Sequence, residues 1–186
     1  NTVNDIVMYT KHMEGHMATR KVKLTGTAEW AKVFPQNRDL LGFDGAYQDC
    51  DGACTIDVIL DDENMAKLTA TGSMKRGTPD PDGRGKKVRL VRKYNTGRDW
   101  DSGAPIVTKS DGTTWDYDTD GTIGNGSTVE VLLSVYDTRM KSIVGTRLDK
   151  VIVLDHVEYI PPQDDGGASP ALEKPVEAAT EDSVLF

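Results

Sequence analysis

Three groups of residues have the types and spacing to do chemistry. Asp116-Tyr-Asp118-Thr-Asp120-Gly121 places alternate carboxylates ahead of a glycine, as a calcium loop does, with Ile123 where such a loop carries an apolar residue. Its twelfth position is Ser127, so the closing bidentate glutamate is missing, and a turn signal stands where the exiting helix would begin. The other reading is an acidic, turn-forming loop. Cys50-Asp-Gly-Ala-Cys54 resembles half of a zinc site, but no second Cys/His cluster supplies the remaining ligands. Of three histidines, His12 and His16 lie near the N-terminus and His156 stands alone, which favours a structural role over catalysis. Phosphate loops, zinc-protease helices and nucleophile elbows are absent from the sequence, so a hydrolase would need a site that no motif reveals.

The third group is cationic and aromatic. Lys75, Arg76, Arg84, Lys86, Lys87, Arg89, Arg92, Lys93 and Arg98 face only Asp80 and Asp82 over residues 75–98, a local charge of +7 inside a chain of −8. Screening confines electrostatics to ~8–10 Å, so such a field draws polyanions whatever the net charge. The plainer alternative is a solvated surface face. Beside these bases stand Tyr94, Trp100, Trp115, Tyr117 and Tyr136, with Lys109 and Arg139 nearby. Cations for phosphates and flat rings for unpaired bases are the two requirements of single-strand binding. For each ring the competing expectation is core packing. Trp30 continues the apolar side of its strand and is expected in the core.

The elements that must position these groups read mainly as β-structure. Residues 20–34 alternate, with Val22, Leu24, Ala28 and Trp30 on one side and Lys21, Lys23, Thr25, Thr27 and Glu29 on the other. Thr55–Leu60 is a β-branched run, and Asp61–Leu68 offers an N-cap with Met65 and Leu68 at helical spacing. A glycine- and proline-rich loop over 76–85 leads into an extended Lys86–Tyr94. Asn125-Gly126 is the strongest turn signal and feeds a strand over Thr128–Tyr136, whose alternation sets Tyr136 opposite Val131, Leu133 and Val135. A last run, Leu148–Ile160, stops at Pro161-Pro162.

Five or so strands, one short helix and long polar loops fit a small barrel or sandwich, the five-stranded OB barrel among them. Residues 1–16, ending at Gly15-His16 before Met17, read as a vector-derived segment; 17–160 is the domain. Residues 161–186 are acidic, with six carboxylates against one lysine, and expected to be disordered. They close on Glu181-Asp182-Ser183-Val184-Leu185-Phe186, carboxylates before an apolar, aromatic end. Such a tethered polyanion competes with DNA for a cationic groove, the alternative being a solubilising tail. The low cysteine count and lack of an apolar span lead us to expect a soluble, cytosolic protein with reduced thiols.

With Lys86–Tyr94, Asp111–Ser127, Thr128–Tyr136, Leu148–Ile160 and Glu181–Phe186 in view, the chain resembles the single-stranded DNA-binding proteins of bacteriophages, those of short-tailed phages in particular. The resemblance implies an OB fold, no enzymatic activity and no cofactor. It implies sequence-tolerant binding of single-stranded DNA in phage replication, recombination and repair, in the cytoplasm of an infected bacterium. It also implies a tail that meets replication proteins such as the polymerase and helicase-primase, with a homodimer left open. Lys86, Lys87, Arg89, Arg92 and Lys93 are the expected phosphate contacts, with Lys75, Arg76, Arg84 and Arg98 expected in the same DNA-binding surface. Tyr94, Trp100, Trp115 and Tyr136 are the expected stacking platforms, and Glu181, Asp182, Leu185 and Phe186 the tail contacts. The rival from another class is a calcium-stabilised β-sandwich module of adhesion or virion type, built on Asp116, Asp118 and Asp120.

Overall fold

The alternation of residues 20–34 produces one long strand, β1 (Thr19–Lys32), whose inward Leu24 and Ala28 are fully buried. The computed structural model describes residues 19–161. Strands β2 (Ala53–Leu60), β3 (Thr78–Pro79), β4 (Lys86–Lys93), β5 (Ile106–Lys109), β6 (Thr128–Asp137) and β7 (Val144–Asp155) complete one seven-stranded sheet in the order β3-β4-β2-β1-β6-β7-β5. All neighbours are antiparallel except β5 with β7.

β1 changes partner along its length. Residues 19–27 pair with β6, while 27–32 pair with β2. The handover falls at Gly26, where a Cβ would collide with the carbonyl of Ile59, so only glycine lets the strands cross this closely. Beyond it, the register slips between Glu29 and Lys32, and Trp30 takes a left-handed φ of 51°. This coiling brings the far strands round until β4 packs beside β7 without a backbone ladder. β1, β2, β4, β6 and β7 thus form a partly open five-stranded barrel of OB type, with β3 and β5 as short additions at its edges. Its interior is Leu24, Ile56, Val58, Leu90, Leu133 and Leu148, all fully buried, each contributing about 1.5–3 kcal/mol.

Helix α1 (Asp62–Ala70) begins where Asp61 accepts from the Asn64 amide at 2.9 Å. Leu68 fills the core, and Asn64 Oδ1 accepts from the Thr25 amide at 2.9 Å, fixing α1 to β1. A second, four-residue helix, α2 (Tyr117–Asp120), occupies the acidic loop, which therefore holds a helix where a polar loop was expected. There Asp116 caps the amide of Asp118, and Asp120 accepts from the Asp116 amide and pairs with Lys109 at 3.4 Å. These carboxylates cap a helix end instead of converging on a common point, and among the described residues no three His, Cys, Asp or Glu groups gather as a metal site would need. With a single sheet and dispersed acids, the calcium sandwich does not describe this molecule.

The loop over 76–85 is more ordered than its composition suggests. Asp80 accepts from Arg84 Nε at 2.9 Å and from the Arg84 amide at 3.2 Å, closing a tight turn between β3 and β4. Strand β7 starts four residues earlier than the apolar run and stops at Asp155. Val157 to Tyr159 then return to the body through Ser127, whose hydroxyl accepts from the Val157 amide at 2.8 Å. Among the described residues no helix is long and apolar enough to cross a membrane. The segment 1–16 and the acidic end, including Glu181, Asp182, Leu185 and Phe186, lie outside the described residues.

Candidate nucleic-acid interface

The barrel opens on one side into two adjoining clefts, of about 550 and 740 Å³, which share Arg98, Asp101, Tyr136 and Arg147. One wall is the β1–β2 loop with Tyr47 and Asp49; the other is the β6–β7 hairpin with Tyr136, Arg139, Thr146 and Arg147. Val91 and Lys93 at the end of β4 form the floor. In OB barrels the corresponding strands and loops carry oligonucleotides and oligosaccharides.

Cations dominate this space. Lys75, Lys93, Arg98, Arg139 and Arg147 line it, against Asp49, Asp101 and Asp137. Burial, and secondarily the charge of Arg89, hold the Lys75 ammonium below its ordinary pKa, as expected of a cation short of anionic partners. Arg98 is anchored by Asp101 at 2.7 Å, and Thr96 also donates to that carboxylate, so the segment 96–102 is held as a rigid bracket.

On this bracket Trp100 stands 71% exposed. The guanidinium carbons of Arg98 and Arg147 lie 5.2 and 5.7 Å from its ring centre. Tyr136 faces it across the shared cleft, its ring lying on Gly145, the residue paired with it on β7. A Cβ at 145 would strike that ring, so the glycine sets how Tyr136 lies. Two rings backed by guanidinium groups make a surface on which bases can stack.

The other expected residues are placed differently. Trp115 is 8% exposed, donates to the Gly121 carbonyl at 2.8 Å and meets His156 edge-on at 4.7 Å; it is a core residue with no face for a base. Trp30 is the converse: expected inside, it is 62% exposed, because the bulge rotates it outward and its amide donates to Asn125. Tyr94 is half-buried and covered by Arg38 at 4.2 Å, outside the clefts. Lys86 and Arg76 are exposed but away from the clefts.

Four bases of the cationic run are engaged by acids from neighbouring strands. Arg84 and Lys87 both bind Glu29, at 2.9 and 2.8 Å, and Arg89 forks onto Asp57 at 2.8 and 3.1 Å. Arg92 is turned inward and donates to the carbonyls of Ser102, Gly103 and Leu148 and to Asp149. It bridges β4 and β7 where no ladder joins them, which makes it a clasp of the barrel and takes it off the phosphate path. Asp149 also receives Arg147 at 2.7 Å, Lys21 at 3.3 Å and the Ser134 hydroxyl. Burial alone would raise its pKa, yet the hydrogen bonds of Arg147 and Ser134 hold it below the usual carboxylate range.

Sequence reading did not select Tyr47 and Arg147, which line the cleft from segments outside the +7 run. For Arg147 no local signal existed: the β6–β7 register alone sets it opposite Ser134, two residues along β6 from Tyr136. Cys50 and Cys54 are free and buried, and burial pushes the Cys54 thiol up to about 11, which keeps it a poor nucleophile at neutral pH.

The barrel with an open, ring-bearing cationic cleft defines an oligonucleotide-binding type of fold. No family model matches the chain, and no curated protein matches its sequence. Solved structures do match. The single-stranded DNA-binding protein from bacteriophage Enc34 has a TM-score of 0.50 at 9% identity, over 80% of this chain and 87% of that one. Gp2.5, a single-stranded DNA-binding protein encoded by bacteriophage T7, gives 0.48 at 16% identity, over 80% and 93%. The Enc34 protein in complex with single-stranded DNA gives 0.46 at 10% identity, over 74% and 88%. The chain shares the fold of the Enc34 protein.

Proposed function

We propose that this protein binds single-stranded DNA without sequence preference, in phage DNA replication, recombination and repair within the cytoplasm of the infected host. The observation that carries the reading is the pair of rings, exposed Trp100 and half-buried Tyr136, set among Lys75, Lys93, Arg98, Arg139 and Arg147 in a cleft between the two loops of the barrel mouth. Every base has a flat face, so stacking on such rings is indifferent to sequence, and phosphate neutralisation supplies the rest. The phage single-stranded DNA-binding protein with the same fold supports the assignment. The chemistry is that of binding, with no catalytic constellation required. The acidic end, Glu181 and Asp182 followed by Leu185 and Phe186, competes with DNA for the cleft and, once displaced, recruits replication proteins.

Titration of a fluorescent oligonucleotide with the full chain and with a form ending at Pro162, at several salt concentrations, tests this. The truncated form binds more tightly, and both lose affinity steeply as salt rises. Equal affinity for duplex and single strands would overturn base stacking; unchanged affinity after truncation would overturn competition by the tail.

A further inference from the structure

A third cavity, of about 360 Å³, lies on the outer face of β1, β6 and β7, bordered by Lys21, Lys23, Lys150, Leu132 and, from edge strand β5, Ile106. The register stacks these residues in rows: Lys21 beside Ser134 beside Arg147, then Lys23 beside Leu132 beside Lys150. The row before them is Thr19 beside Tyr136 beside Gly145, which belongs to the stacking cleft. Asp149 joins the two regions, since it binds Arg147 of the cleft and Lys21 of the outer face.

From this continuity we infer that the outer face is a second tract of the single-strand path, where a strand leaving Tyr136 lays its phosphates along Lys21, Lys23 and Lys150. The inference rests on the proposed single-strand binding and extends it. Alternate residues of β1 are ~6.7 Å apart, a spacing suited to successive phosphates of an extended strand. Lys21 and Lys23 keep 72% and 60% of their side chains exposed, and the nearest acid to Lys23, Glu130, stands at 3.9 Å. Ile106 is 62% exposed beside them and offers a sugar or base edge an apolar ledge. No ring lines this cavity, so the outer tract contributes charge and no stacking.

The test is a comparison of lengths. The full chain and its K21Q/K23Q/K150Q variant are titrated with oligothymidylates of about six and about twenty nucleotides across a range of salt. The variant binds the short probe like wild type. It binds the long probe about tenfold more weakly, with a log–log salt slope shallower by about 2, the effect of three lost phosphate contacts. Because Lys21 touches Asp149, K23Q/K150Q is measured as well, and it shows the same pattern with a slope change of about 1.4. Identical long-probe titrations, or equal losses on both probes, overturn the outer tract while leaving the cleft in place. Intact DNA binding with lost affinity for a peptide of residues 161–186 assigns the face to an anionic peptide and also overturns it. Wild-type protein that binds neither probe defeats the proposed function itself.

Discussion

Trp100→Ala and Trp115→Ala separate a binding ring from a structural one. Trp100 is 71% exposed, with the guanidinium groups of Arg98 and Arg147 over its ring, so its removal changes folding stability by no more than ~0.5 kcal/mol, as at other surface positions. A stacked base on that ring is worth ~1–3 kcal/mol, which converts to roughly 5- to 150-fold in Kd. Trp115 is 8% exposed and its indole N–H is used, so truncation there costs about 3–5 kcal/mol of stability. Anisotropy with a labelled oligothymidylate, paired with urea melts of each variant, gives both numbers. The expected outcome is a crossed pattern: W100A folds normally and binds poorly, while W115A unfolds early and binds normally per folded molecule. Binding by W100A within twofold of wild type, or a W100A melt as early as that of W115A, refutes the assignment of the rings.

The remaining predictions concern the network behind the cleft. Arg92→Met keeps the aliphatic stem and loses the clasp between β4 and β7, costing ~1.5–3 kcal/mol in a urea melt, whereas Lys93→Gln leaves the melt unchanged and lowers the salt slope of binding by about 0.7. Asp149 has a folded pKa below its unfolded one, so its contribution is complete above the ordinary carboxylate range and disappears as pH falls through the depressed value; Asp149→Asn flattens that acid limb of a stability–pH curve. Gly145→Ala displaces the Tyr136 ring and weakens oligonucleotide binding several-fold, measured alongside a thermal melt to show that the fold persists.

The strands were legible because their alternation is local. Val22 to Thr27, Thr55 to Leu60 and Val129 to Tyr136 each declare a buried face, and Asp61 with Leu68 declares the helix. What no local pattern carried was pairing between strands. Lys87 and Arg89 read as free cations because Glu29 and Asp57, which engage them, lie 58 and 32 residues away in sequence, and Arg84 adds distant Glu29 to its local partner Asp80. Arg147 was invisible for the same reason, since only the β6–β7 register brings it to Tyr136. Trp30 shows a different limit. Strict alternation places it inside, and one bulge reverses that, because a side-chain period of two turns any slip of register into a change of face.

The cleft and the closure of the barrel rest on the same few side chains, and this links folding to binding. A backbone ladder between β4 and β7 would seal the barrel with hydrogen bonds that have no bearing on any ligand. Here the gap is spanned by Arg92, which reaches Asp149, and Asp149 in turn holds Arg147 beneath Trp100 and Tyr136. In the proposed single-strand binding, a phosphate arriving at Arg147 competes with Asp149 for the same guanidinium, while stacking on the rings leaves that pair intact. On the proposed function, stacking is expected at the centre of the cleft and phosphate contact at Lys75, Lys93 and Arg139, which have no carboxylate within 4 Å among the described residues. Arg147→Lys separates the two roles: a lysine keeps the charge but loses the fork to Asp149 and the flat support of the rings. Affinity then falls while the salt slope stays unchanged; a slope reduced by about 0.7 would mean that Arg147 contacts phosphate directly.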